Sequence, residues 1–243
     1  MELKSLQLKA GKGLILGISI CAAVLFTLNG CTKEEILPGI KGRVDKGSDH
    51  VVIKEEDPKT PADTLPCGGF RTQTQGGWGA PPNGNNPGKY LHTNFAAAFP
   101  NGLTVGCNYT ITLTTAQAIT DYLPAGGTPA VLTANYTNPT TLKNNLASQL
   151  VTLTLAVQFD KYDPKFSSSS AALGNLIIGS GTFKGMKVAD LLTEANKVLG
   201  GCPSAYTPAQ ISDVLTTINE NFDDGTANGG FLLCPDKIIV ITY

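Results

Sequence analysis

Histidine is nearly missing from this 243-residue chain: His50 and His92 are its two, and of these His92 alone falls between Cys67 and Cys234. Serine or cysteine catalysis assisted by an imidazole therefore has one base to draw on there. No Gly-x-Ser-x-Gly turn precedes a helix to present a nucleophile. No Cys-x-x-Cys occurs and neither histidine lies at ligand spacing, so a zinc site has no framework. Charge is scarce as well: residues 67 to 234 hold 17 charged side chains in 168. The formal net charge of the whole chain is −1, which leaves no basic field to attract nucleic acid. The glycine-rich stretch Gly179-Ser-Gly-Thr-Phe-Lys-Gly185 fits the spacing of neither a dinucleotide finger nor a phosphate loop. A hairpin turn accounts for it, and nothing in the chain calls for a cofactor.

What the chain does have begins at its start. Lys4, Lys9 and Lys12 precede the apolar run Gly13 to Leu28, the layout of a secretory signal over residues 1–30. As a helix those 16 residues would reach roughly 24 Å, short of the roughly 30 Å hydrocarbon core that a spanning segment must cross. The border Leu28-Asn29-Gly30-Cys31 resembles a bacterial lipobox, with Asn29 its less usual member. That resemblance implies cleavage before Cys31, a diacylglycerol on its thiol and an acylated new amino terminus. Each buried methylene contributes about 0.8 kcal/mol and one chain holds only marginally, so several acyl chains make a lasting anchor. Lys33, Glu34 and Glu35 resemble the lysine and paired acids that mark lipoproteins of one Gram-negative lineage for the outer face of the outer membrane.

With the signal gone, 15 basic and 18 acidic residues remain, a net of −3 after loss of Lys4, Lys9, Lys12 and Glu2. Residues 32 to 66 hold 14 charges in 35 together with Pro38, Pro58, Pro61 and Pro66. Such a composition buries too little apolar surface to offset its ordering entropy, so residues 31–66 read as a disordered tether. Its coil span is about 30 to 35 Å. Within it Asp63-Thr64-Leu65 resembles the triplet that the same lineage O-glycosylates, which makes Thr64 the candidate acceptor.

Residues 67–234 read as one exported domain, mainly α, with irregular Gly/Pro/Asn-rich loops first and a few short strands later. The first 45 of these residues are expected to be loops and tight turns rather than helix or sheet, with Trp78 packed into them. Thr114-Thr115 open a helix over AQAITDYL that Pro124 stops. Pro139 is expected to open a long buried helix from Thr140 to about Phe159, although its β-branched stretch VTLTLAV also suits a strand. LGNLIIGSGTFKG reads as two short extended pieces joined by a Gly-Ser-Gly turn. A helix over Val188 to Leu199 ends at Gly200-Gly201, and another starts with Thr207 as N-cap and Pro208 at its first position. Residues 235–243 read as a short strand. Cys67, Cys107, Cys202 and Cys234 form an even set in an exported chain and read as two disulfides, for which three pairings exist.

Thr74-Gln75-Gly76-Gly77-Trp78 near the start, and Ile218-Asn-Glu-Asn-Phe-Asp-Asp-Gly225 with Cys234 near the end, are similar to the opening and closing motifs of a family of uncharacterised modules in exported and surface proteins of bacteria. Cys67 stands further upstream than that family's pattern places it. The resemblance implies the pairing Cys67–Cys234 and Cys107–Cys202, and brings no catalytic residues. Closing two long loops would contribute roughly 4 to 5 kcal/mol each in the chain-entropy account.

Asp160, Asp163, Asp223 and Asp224 are the carboxylates a glycoside hydrolase would use, yet each stands at a helix end or loop where turn acids are expected. Asn219, Asn221, Asp223 and Asp224 form a weak calcium candidate without the EF-hand order. Trp78, Tyr90, Phe95 and Phe99 offer a sugar-stacking face if exposed and a packed cluster if buried, the commoner outcome. Asn108-Tyr-Thr110 matches the N-glycosylation acceptor by chance. The expected role is therefore a lipid-anchored protein on the outer membrane's extracellular face. It is expected to be non-enzymatic, meeting the membrane through its anchor and a glycan or protein as ligand, with a loop-carboxylate hydrolase as the alternative.

Overall fold

Leucine, valine, alanine and threonine recur on every side of the run from Asn145 to Tyr162, and this run forms the central helix of a computed structural model. The structure describes residues 68–235 and the backbone of two strands, Val51–Lys54 and Ile238–Ile241. Cys31, Lys33, Glu34, Glu35, Thr64 and Cys67 lie outside the described residues. In chain order the elements are β1 Val51–Lys54, α1 Gln75–Gly79, α2 Pro87–Ala98, β2 Leu103–Gly106, β3 Thr110–Leu113, α3 Ala116–Tyr122, β4 Tyr136–Thr137, α4 Asn145–Tyr162, β5 Ile177–Ile178, α5 Val188–Gly200, α6 Pro208–Asn221, β6 Leu232–Leu233 and β7 Ile238–Ile241. The class is mainly α with short strands, as the composition implies.

Eleven of the 18 residues of α4 are buried, more than one face can hold, so helices must surround it. α6 lies along it most extensively, with α5, α1 and α2 also against it. The β-branched stretch within α4 is helix, not strand. Its hydroxyls bond back to the preceding turn, Thr152 Oγ1 to Ser148 O at 2.8 Å and Thr154 Oγ1 to Leu150 O at 2.7 Å, which lets them sit in an apolar core. The helix starts later than Pro139 suggests. Asn144 is the cap that decides it: its Oδ1 accepts from Ala147 N, while its Nδ2 donates to Ala130 O at 2.8 Å.

The Gly/Pro/Asn-rich start corrects the expectation of loops alone, since it contains α1, α2 and β2. Thr74 Oγ1 caps α1 by accepting from Gly77 N, and Asn86 Oδ1 caps α2 by accepting from Lys89 N at 2.8 Å, with Pro87 at its first turn. Two glycines there serve close approach rather than turning. A Cβ at Gly79 would run into the Leu123 carbonyl, and one at Gly88 into the Ala80 carbonyl.

β2 and β3 pair antiparallel in the register Leu103↔Leu113 and Val105↔Ile111, burying those four side chains on one face. β4 joins β3 in parallel. Cys107, in the turn between β2 and β3, is bonded to Cys202 just past α5, whose end at Gly201 takes the left-handed conformation glycine favours. Cys234 is disulfide-bonded too. The Gly-Ser-Gly turn is not a two-strand hairpin: β5 pairs with β6, from the far end of the domain. The chain still doubles back, through Ile178 N to Met186 O at 2.9 Å. α6 begins at Thr207 with a full capping box, Gln210 answering Thr207. β7 pairs antiparallel with β1, four residues inside the stretch read as a tether.

Candidate functional site

The segment just before α1 meets the end of α6 in space. Thr72 N donates to Phe222 O and Asp224 N to Thr72 O, both at 3.0 Å, while Phe222 N donates to Thr72 Oγ1 at 3.0 Å. Arg71 then forms an ion pair with Asp224 at 2.8 Å, and Gln73 Nε2 donates to the same oxygen at 3.0 Å. Phe70 lies against Phe222 with ring centroids 5.4 Å apart. The start of the domain is thus clasped to the end of α6.

Beside this clasp a cleft of about 240 Å³ opens between the start of α1, the turn after α3, α4 and α6. Its polar lining is Thr74, Gln75, Gln149, Asn219 and Glu220, with Pro124 across from them. Gln75 is held at both ends of its amide: Nε2 donates to Asn145 Oδ1 at 3.0 Å and Oε1 accepts from Ala125 N at 3.2 Å. Asn145 passes the network on, donating to Ser212 Oγ at 2.9 Å. Asn219, 1% exposed, directs Nδ2 at Gln149 O (3.0 Å) and Gln149 Oε1 (2.8 Å). Asn219 Oδ1 is buried with no hydrogen-bond partner, a state that costs about 1–3 kcal/mol when nothing fills it. Glu220 is exposed at the rim. The arrangement offers hydrogen bonding from three amides, the Thr74 hydroxyl and one carboxylate.

Of the candidate site residues that the structure describes, Asn219 lines this cleft and the others lie elsewhere. Asp160 accepts from Ser167 Oγ at 2.8 Å and Leu173 N at 2.7 Å. Asp163 ends α4 and accepts from Tyr90 Oη at 2.8 Å and Lys165 N at 2.9 Å. Asp224 is bound to Arg71 and Gln73. Of the calcium candidates, Asn219 faces α4, Asn221 Oδ1 accepts from Phe231 N at 2.8 Å, and Asp224 faces Arg71, so these three are turned to three different partners. Among the described residues no group of three or more His, Cys, Asp or Glu stands together as a metal site. Asn108 Nδ2 donates to Gly201 O at 3.2 Å.

The aromatic residues are a packed cluster and not an open face. Trp78 is fully buried among Phe159 (5.4 Å between centroids), Phe166 (6.2 Å) and Tyr90 (6.5 Å). Phe99 meets Phe159 edge-on and stacks on Phe95. The Tyr90 hydroxyl is driven well above its ordinary value, first by burial and then by its hydrogen bond to the Asp163 carboxylate, so it stays protonated. His92 Nε2 meets Thr120 Oγ1 at 2.9 Å.

Gln75 and Glu220 fall within the quoted motifs without a role assigned to them, and sequence reasoning passed over Gln149. A signal was present for Gln149, which follows Asn145 by one turn inside a run buried on all sides. An amide there needs a polar partner, which α6 supplies in Asn219. Among the described residues no helix is long and apolar enough to cross a membrane. Set against known proteins, the chain matches no family model, no curated protein and no solved structure.

Proposed function

We propose that this chain is a lipid-anchored protein displayed on the outer face of a bacterial outer membrane, and that its domain binds rather than catalyses. The observation that carries the reading is Leu28-Asn29-Gly30-Cys31 followed by Lys33-Glu34-Glu35 behind an apolar run too short to span a bilayer. The domain agrees in kind: the candidate acids Asp160, Asp163 and Asp224 take hydrogen bonds that hold the fold, and its polar cleft presents chiefly amides. The hydrolase alternative loses support for the same reason, because Asp224 is neutralised by Arg71 and Asp163 is held by Tyr90.

Mass spectrometry of the mature chain from intact and protease-shaved cells tests this. The expected result is an amino-terminal Cys31 carrying diacylglycerol and an added acyl group, and a domain released by shaving. In a Cys31→Ser variant the protein should leave the membrane fraction. An uncleaved or unacylated Cys31 sinks the anchor, and a domain shielded from protease in intact cells sinks surface display.

A further inference from the structure

The buried polar atoms that lack a partner among the described residues are Arg71 Nε, Trp78 Nε1, Tyr122 Oη, Asn219 Oδ1 and Asn221 Nδ2. Of these residues, Asn219 lines the cleft described above. A second cleft, about 270 Å³ beside Phe99, Asn101, Leu103 and Gln158, has none, and its Gln158 is spent on Ala98 O at 3.0 Å. With both amide hydrogens of Asn219 committed to Gln149, Oδ1 is what that residue has left to offer a ligand.

We infer that the cleft bounded by Thr74, Gln149, Asn219 and Glu220 is a binding site for one ring of a neutral saccharide. The inference rests on the binding half of the reading above and is independent of the anchor.

The chemistry of the lining selects the ligand. Asn219 Oδ1 and the Glu220 carboxylate accept, whereas the Gln149 amide nitrogen donates to no protein group among the described residues, since Gln149 takes part in the network through its oxygens. A ligand that fills the site must therefore both donate and accept within a few ångströms, as neighbouring sugar hydroxyls do. No cation lines the cleft, and Glu220 repels phosphates and carboxylates. An ammonium group would answer Glu220 and Asn219 but only donates, leaving the Gln149 nitrogen without an acceptor. Pro124, Gly76 and Gly126 complete the lining, adding apolar and backbone surface to the polar groups. At about 240 Å³ the cleft is smaller than the roughly 300–1,000 Å³ of drug-sized pockets, which suits one ring rather than an oligosaccharide enclosed along its length.

The test is saturation-transfer NMR and calorimetry on the full chain in detergent micelles, with methyl glycosides of neutral hexoses and of N-acetylhexosamines as probes, and with calcium chloride, inorganic phosphate and methylamine in separate runs. The expected result is binding of at least one neutral glycoside. Loss of one hydrogen bond in Glu220→Ala should weaken it about three- to tenfold. Asn219→Leu, checked for an intact fold by its melting curve, should abolish it, and Asn101→Ala in the second cleft should leave it unchanged. Because Glu220 is exposed, its variant keeps the test decisive even where Asn219→Leu fails to fold. No response to any neutral glycoside overturns the site, as does binding indifferent to Glu220→Ala, or a response to calcium, phosphate or methylamine in place of the sugars. A Cys31→Ser chain that leaves the membrane fraction yet binds the glycoside equally well separates the two proposals, since either can fail while the other stands.

Discussion

The two ends of α4 are built by different physics. Toward its C-terminus Phe159 meets Trp78, Tyr90, Phe99 and Phe166, a packing of rings in which even the buried Trp78 indole nitrogen goes without a partner. Toward its N-terminus Asn144, Asn145, Ser148 and Gln149 reach a chain of side-chain and backbone hydrogen bonds running to Ala130, Gln75, Ser212 and Asn219. The first end gains from area buried, which tolerates an unmatched polar atom. The second gains from direction, so each amide fixes where the next one sits. The site proposed above lies at the amide end, where direction rather than area sets the geometry.

Breaking the aromatic end should cost most. Trp78→Ala removes the largest fully buried side chain, and its expected effect is about 3–5 kcal/mol of unfolding free energy, read from urea denaturation as a lower midpoint. A loss below about 1 kcal/mol would mean that the cluster contributes little beyond filling space. Asn145→Ala strikes the amide end and leaves Gln75 Nε2 without its acceptor and Ser212 Oγ without its donor. The expected loss is smaller, about 1–3 kcal/mol. A paired Asn145→Ala/Ser212→Ala variant should lose less than the two single changes together, because the second removes a group the first had already stranded. Strict additivity would show that the amides act separately.

The aromatic end was harder to read from the chain than the helices that flank it. Thr207-Pro208 and Gly200-Gly201 are punctuation whose meaning is local, and both helix ends follow it. In contrast, NGNNPGKY carries the glycine, asparagine and proline of a turn, yet Asn86 and Pro87 are also the cap and first residue of α2. The deciding fact is tertiary: Gly88 and Gly79 are small because backbones pass against them. The cleft was legible only in part. Asn219 stood out as a polar residue near a helix end, but its partner lies 70 residues away in sequence, and no spacing rule connects Gln149 to it. The calcium candidates Asn219, Asn221 and Asp224 face separate partners, the first two from the last turn of α6 and the third from the chain after it.

The smallest expected effect carries the opposite sign and concerns a polar atom placed where only area counts. The Tyr122 hydroxyl, buried on α3, has no partner, and burial raises its pKa well above the ordinary value near 10. Tyr122→Phe removes an unmatched group without opening a cavity, so the melting temperature should stay level or rise, by an amount equivalent to at most about 1 kcal/mol. The alkaline limb gives a sharper reading. A folded-state value above the unfolded one means that the tyrosine's contribution is complete below about pH 10 and is lost as the pH climbs from the unfolded value toward the folded one. Tyr90 is raised in the same direction and persists in the variant. Stability should therefore fall above about pH 10 in both proteins, less steeply in Tyr122→Phe. Equal slopes, measured by urea unfolding on either side of that pH, would mean that water reaches the Tyr122 hydroxyl in the folded protein, and the contrast between the two ends of α4 would lose its simplest control.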